Sequence, residues 1–359
     1  MKPRVLFVGR TRYRLPLSPS LARKFDALAQ ELDVRVLASA APGSATADRT
    51  FTLVRPLPLL DGLVFWLALP LRVARLLRAF RPDAVVCQTA FDAAATLVAR
   101  RFAQVYPRVV VEVHGDWRTS TRLYGSPARR SISRLADAVA ASALRRADAV
   151  RTVSPFTAQL VRDLGVEPAS DFPAYMDLEP FVRPPVPLPD EPRALFVGVL
   201  ESYKNVDGLA EAWRRVTGGS LHVVGKGTRS DVAERLVREH GARWDAELTP
   251  AEVAAAMDHA WVLVLPSRSE GMGRVLVEAF CRGRGVVGTR AGSIPDLVED
   301  GVAGLLVPPG DTAALADALT RVLSDRALAE RLGEGARASA APWLQTPEEY
   351  ARAMRELVA

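Results

Sequence analysis

Leu265-Pro266-Ser267-Arg268-Ser269-Glu270-Gly271-Met272-Gly273-Arg274-Val275-Leu276-Val277-Glu278-Ala279 holds a strand end, a glycine loop and a helix start in fifteen consecutive residues. The apolar run that closes at Leu265 has strand length, and helical periodicity takes over across 273–282. A strand feeding a helix through glycines is half of a parallel βαβ unit. The first N–H groups of a helix lack intrahelical acceptors and carry partial positive charge, so this helix start suits a diphosphate. Glycines at 271 and 273 let the backbone come close to such a ligand. Glu270 and Glu278 lie eight residues apart, roughly 12 Å along a helix axis. That is about the distance from hexose to ribose in a nucleoside diphosphate sugar. One carboxylate would accept from sugar hydroxyls and the other from the ribose diol. Two merely solvated glutamates are the plain alternative, and the glycine loop with its flanking strand weighs against it.

Outward from this stretch the same alternation repeats. The second half predicts strands at 194–198, 220–224, 261–265 and 285–288, with helices at 206–216, 230–239, 250–258, 273–282 and 312–323. The first half predicts strands at 5–8, 34–37, 83–87, 109–113 and 149–153, with helices at 18–32 and 131–146. Between them the prolines at 173, 180, 184, 185, 187, 189 and 192 suit neither helix nor central strand. The expected organisation is an α/β chain with two Rossmann-like domains, 1–172 and 193–343, joined by a linker over 173–192. A final amphipathic helix follows at about 344–359. Two open parallel sheets joined this way would leave a central cleft at their carboxyl ends, where ligands of such folds bind.

Composition narrows the function classes. The net charge of +6 comes almost wholly from arginine, since lysine occurs only at 2, 24, 204 and 226. Acidic residues are interspersed, and no RNP-like, zinc-finger or basic-helix pattern appears, which argues against nucleic acid as a partner. Cys87 and Cys281 are isolated, so neither a disulfide framework nor a zinc site is expected. The first apolar run, Val5–Val8, is strand-sized, and a cytoplasmic location without a signal peptide is expected.

The C-terminal half resembles the retaining glycosyltransferases of family 4, which have the GT-B fold. The resemblance rests on Phe196-Val197-Gly198-Val199-Leu200 with Lys204-Asn205-Val206-Asp207-Gly208-Leu209, on Val223-Val224-Gly225-Lys226-Gly227, and on the Glu-x7-Glu stretch above. Gly292-Ser293-Ile294-Pro295-Asp296-Leu297-Val298 and the run from Asp300 to Asp311 complete it. It implies a nucleoside diphosphate sugar donor, UDP- or GDP-linked, and no cofactor or bound metal. Glu270 would contact the transferred sugar with the Gly271, Met272 and Gly273 amides. Lys204 would neutralise the diphosphate beside Gly198, Val199 and Gly225, and Glu278 would take the ribose. Arg274, Val275 and Leu276 would line the same helix start. The last helix would cross back onto the first domain. Relatives carry an arginine where this chain has Val199; Arg274 or Lys226 would then take over that charge.

The first half matches less well. Gly9-Arg10-Thr11-Arg12-Tyr13-Arg14 replaces a paired-glycine loop, with Gly9, Arg10 and Arg12 as candidates for an acceptor phosphate or as a solvated basic loop. His114, after the strand-like Val109–Val113, matches the family's sugar-contacting histidine and completes the expected catalytic set with Glu270 and Lys204. The other histidines, 222, 240 and 259, read as structural residues without partners. Residues 58–81 combine a ten-residue uncharged run, too short to span a bilayer, with arginines at 72, 75, 78 and 81. This suits peripheral contact with an anionic membrane and a lipid-linked acceptor, or an ordinary surface helix. Transfer to an unknown hydroxyl acceptor is the expected activity. The alternatives are a catalytically lapsed nucleotide-sugar-binding protein and a sugar-nucleotide epimerase or phosphorylase of the same fold.

Overall fold

The computed structural model describes residues 1–56, 61–122 and 133–359. It divides into two compact units. The first takes in the described residues up to Tyr175 except Arg122 and closes with Gln345–Ala359; the second holds Arg122 and runs from Met176 to Leu344.

The first unit holds β1 (Arg4–Tyr13), β2 (Asp33–Ala40), β3 (Phe51–Val54), β4 (Ala84–Cys87), β5 (Arg108–Val113), β6 (Ala149–Thr152) and β7 (Ser170–Asp171). They form one parallel sheet in the order β3-β2-β1-β4-β5-β6-β7. The strands are short, continuous apolar runs because both faces are covered. Helices Asp61–Phe80, Ala90–Ala103 and Ser133–Arg146 cover one face. On the other, the helix Pro19–Glu31, capped by Ser18, packs against the helix Pro347–Val358. That last helix starts on a Thr346/Glu349 capping box and buries Tyr350, Ala351, Met354, Leu357 and Val358.

The second unit holds β8 (Arg193–Val197), β9 (Ser220–Val224), β10 (Arg243–Asp245), β11 (Val262–Leu265), β12 (Gly285–Thr289) and β13 (Gly304–Val307). Their order is β10-β9-β8-β11-β12-β13, again with every pair parallel. Both sheets therefore reverse strand order beside their first strand, between β1 and β4 and between β8 and β11. Such a reversal opens a crevice at the carboxyl ends of the two strands.

Several expectations need correction. Residues 9–13 are not a loop but the continuation of β1. Between Val8 and Arg12 four residues of β1 pass two of β2, so a bulge carries the strand onward. The proline-rich stretch 173–192 is not a free linker along its whole length. From Met176 it belongs to the second unit, with Met176, Leu178, Phe181 and Leu188 buried. Arg282 donates to the Phe181 and Arg183 carbonyls, at 3.3 and 3.1 Å, and Arg284 to the Val186 carbonyl at 3.1 Å. Prolines supply no N–H of their own, and here their stretch offers carbonyls to two buried guanidinium groups. The predicted helix 206–216 stops at Trp213. The helix expected over 131–146 is described from Ser133, so its first two residues lie outside the described set. Of the stretch 58–81, residues 58–60 also lie outside it. The rest forms the helix Asp61–Phe80 and runs on to Arg81, with Phe65, Leu69, Val73 and Leu77 in the core, so part of the uncharged run is ordinary packing.

Candidate functional site

In the second unit the crevice between β8 and β11 is built by three loops that lie backbone on backbone. Gly198, just past β8, donates to the Val224 carbonyl at 3.0 Å, and Leu200 donates to the Lys226 carbonyl at 3.1 Å. A Cβ at Gly225 would sit 1.9 Å from the Gly198 oxygen, so the two strand ends close only around a glycine. The loop after β11 is tied across to the loop after β8. The Arg268 N–H donates to the Tyr203 carbonyl at 2.7 Å, and its guanidinium reaches the Asn205 side chain at 3.1 Å.

Lys204 ends the 3-10 turn Ser202–Lys204, and its stem lies 3.5 Å from where a Gly198 side chain would begin. Its ammonium donates to Glu270 Oε1 at 2.6 Å, and the Ser267 hydroxyl donates to the same oxygen at 2.6 Å. Lys204 is 8% exposed and Glu270 7%, so the crevice holds a nearly dry cation and anion. Ion pairs this dry are weak sources of stability, because desolvation opposes their attraction. Glu270 is fixed from behind: Ser293 donates to its carbonyl at 3.1 Å, and Gly292, at φ +57, lies where any Cβ would meet that carbonyl at 2.2 Å.

Gly273 caps the helix Arg274–Cys281 in the left-handed region, φ 59, where a side chain would be strained. Gly273 has no side chain with which to cap the amides of that first turn. Glu278, just over one turn in, is half-buried; burial pushes its carboxyl above the ordinary value, while Arg274 and Lys204 pull it back. Arg274 is exposed at the helix start, and Val199 is exposed beside Gly198. Met272 and Val275 are buried and Leu276 is fully so, which leaves Leu276 only its backbone for a ligand. Lys226 is an exposed residue paired with Glu247. The structure thus brings Gly198, Lys204, Gly225, Glu270 and the 271–274 turn together, with Glu278 inside the same electrostatic field.

His114, Gly9, Arg10 and Arg12 belong to the first unit. There Gln88, which follows β4, lies over Gly9, and Thr11 donates to its side chain at 2.7 Å. Arg10 and Arg12 are exposed on the continued strand. His114 follows β5, with its side chain 41% exposed and Nε2 3.4 Å from Glu112 Oε2. Glu112 pairs in turn with Arg151, which is fully buried. Burial pushes the Glu112 carboxyl up, but Arg151 and His114 outweigh it and bring it down to about 2. Of the histidines expected to lack partners, two have one: His222 pairs with Asp245 at 2.8 Å, and His259 Nδ1 lies 2.7 Å from the Ala255 carbonyl. Ser267, Asn205, Arg268, Glu112 and Arg151 are residues the sequence reading missed. Glu112 and Arg151 carried a signal, as opposite charges each beside a valine inside a strand. Among the described residues no three His, Cys, Asp or Glu side chains cluster to hold a metal ion, and no helix is long and apolar enough to cross a membrane.

Residues 18–170 match the family model Glycosyl transferase 4-like domain, and residues 180–339 match Glycosyl transferases group 1. Sulfoquinovosyl transferase SQD2 of Arabidopsis thaliana is 30% identical over 176 residues, 48% of this chain and 34% of that protein. The lipopolysaccharide core biosynthesis glycosyltransferase LpsE of Rhizobium meliloti is 30% identical over 216 residues, 56% of this chain and 62% of that protein. This chain thus spans under two thirds of each of these relatives. In fold it is similar to the sucrose-phosphate synthase of Thermosynechococcus elongatus, with a TM-score of 0.80 at 22% identity over 99% of this chain and 98% of that one. HepE of Anabaena, crystallised with UDP-glucose, gives 0.72 at 18% identity over 99% of each chain.

Proposed function

We propose that this chain, which carries a glycosyl transferase 4-like domain followed by a glycosyl transferases group 1 domain on the GT-B fold, is a retaining glycosyltransferase. It moves a hexose-type sugar from a UDP- or GDP-sugar to a hydroxyl, with a lipid-linked glycan or glycolipid as the acceptor class, and it uses no metal. The observation that carries this reading is Lys204 paired with Glu270 at the β8/β11 reversal, beside a helix start whose cap residue is a glycine.

The chemistry follows from that placement. A diphosphate laid on the 271–274 turn meets backbone N–H groups and the Lys204 ammonium, which stabilise the charge that grows as the sugar–phosphate bond breaks. The hexose hydroxyls replace Lys204 as donors to Glu270, and Glu278 takes the ribose diol. The acceptor oxygen bonds to the anomeric carbon on the face the diphosphate leaves, and its proton passes to the departing phosphate oxygen. His114 supplies a hydrogen bond to the transferred sugar. Exposed Arg274, on the helix start, supplies the cation that Val199 does not.

Arg274→Ala and Glu278→Gln should therefore separate. The first removes charge felt most in the transition state, and kcat should fall about 10- to 100-fold. The second removes a contact made equally in ground and transition states, and donor KM should rise about tenfold with kcat nearly unchanged. Steady-state kinetics against donor concentration checks both. The function itself is tested by incubation with UDP- and GDP-sugars. Nucleoside diphosphate release that requires an acceptor supports transfer. Donor isomerised without acceptor indicates an epimerase, and tight binding without turnover indicates a lapsed enzyme; either refutes the proposal.

A further inference from the structure

On the first sheet's outer helical layer, three neighbouring helices each expose an apolar pair at i, i+4. The pairs are Leu67 and Leu71, Val98 and Phe102, and Leu135 and Val139. Residues four apart share one face of a helix, so each pair is a stripe rather than a scatter. Tyr106, 69% exposed, adds an aromatic ring where the chain leaves the second helix. Together these make up half of the fourteen exposed large apolar side chains among the described residues, although the layer is a small part of the chain. Patches of this kind mark interaction sites.

Between helices Ala90–Ala103 and Ser133–Arg146 the patch opens into a groove of about 940 Å³. Val98, Phe102, Tyr106 and Val139 line it, with Arg101 and Arg146 exposed beside them. A third lining arginine, Arg100, is held by Asp148 at 2.8 Å, and among the described residues no acidic side chain lines the groove itself. Exposed Arg75 and Arg78 continue the positive charge along the helix that carries Leu67 and Leu71.

We propose that this face docks on an anionic lipid bilayer, with Phe102 and Tyr106 entering the interface and Arg101 and Arg146 meeting lipid phosphates. Charge selects this occupant. A second copy seated by a twofold axis would bring the same arginines against each other, whereas an anionic headgroup layer neutralises them. The surface is wider than residues 58–81 and centres on the next two helices. It does not rest on the glycosyl-transfer reading, and its failure would leave that reading untouched.

Co-sedimentation of the full chain with vesicles tests it. Vesicles of phosphatidylcholine with roughly a third phosphatidylglycerol should retain the protein at low salt, at least tenfold more strongly than phosphatidylcholine alone. Phe102→Ser with Tyr106→Ser should weaken retention about tenfold. Arg101→Gln with Arg146→Gln should weaken it by roughly the same factor or more and flatten its salt dependence. All four side chains are exposed, so an unchanged unfolding temperature is the control for folding. Absence of binding to the anionic vesicles, or equal binding by the Phe102/Tyr106 variant, overturns the proposal. So does a concentration-dependent dimer in sedimentation velocity that the same variant abolishes, since the face would then belong to a second copy.

Discussion

Lys204→Ala is expected to lower kcat for sugar transfer by about 10³, with a much smaller change in donor KM. In the proposed reaction charge accumulates on the departing diphosphate, and among the four lysines of the chain only this one is buried in the β8/β11 crevice. A preorganised cation in a site that excludes water interacts more strongly than it would in solvent. The same change also removes the partner of Glu270, which is 7% exposed and would be left as a buried charge. Breaking one side of such a pair costs about 3–5 kcal/mol of stability, so a lost rate could reflect a damaged fold. Lys204→Met combined with Glu270→Gln removes both charges and should recover most of that stability. It should not recover the rate. Thermal unfolding and kcat measured on wild type, the single variant and the double variant separate the effects. A double variant that regained activity along with stability would reduce Lys204 to the counter-ion of Glu270.

How far the sequence reached depended on whether an element's reason for forming is local. The strand, glycine loop and helix across 265–279 lie in one run of chain, and the cap at Gly273 needs only its own backbone geometry. Strands such as β4 and β11 were readable because sheets covered on both faces force continuous apolar runs. Ser170–Asp171 has no apolar residue at all; it is a strand only because β6 offers an edge to pair with. The helix Ala90–Ala103 is alanine-rich, so its apolar stripe is diluted and its periodicity faint. The pairing inside the crevice was harder still. Lys204 and Glu270 are 66 residues apart, and Arg268 meets Asn205 across 63; only strand order brings them together. Gly292 shows the same limit, because its requirement is set by a carbonyl of another loop rather than by its neighbours in sequence.

In the first unit the buried pair beneath His114 predicts a reversal in the pH dependence of stability. Glu112 and Arg151 stand opposite each other in β5 and β6, and Arg151 is fully buried. Its guanidinium also donates to the Phe172 and Pro173 carbonyls, at 2.9 and 2.6 Å, and lies 3.8 Å over the Phe172 ring. Arg151→Met should therefore destabilise the chain by about 3–5 kcal/mol, most of it from the stranded carboxylate. In the wild type the Glu112 carboxyl titrates at about 2 when folded, below its value of 4.5 in an open chain. A depressed folded value means that the stabilisation is complete above about 4.5 and is lost as pH falls toward 2. The gap corresponds to something on the order of 3 kcal/mol. Without Arg151, burial dominates and the folded carboxyl titrates above the open-chain value. Its contribution is then retained in acid and lost as pH rises through and beyond 4.5. Urea midpoints from pH 3 to 6 should thus climb more steeply for wild type than for Arg151→Met, the difference isolating this carboxyl from all others that titrate there. Parallel curves would show that Glu112 is not the group Arg151 holds charged. Arg151→Met with Glu112→Gln should restore stability and give a slope between those two, because no carboxyl then titrates at position 112.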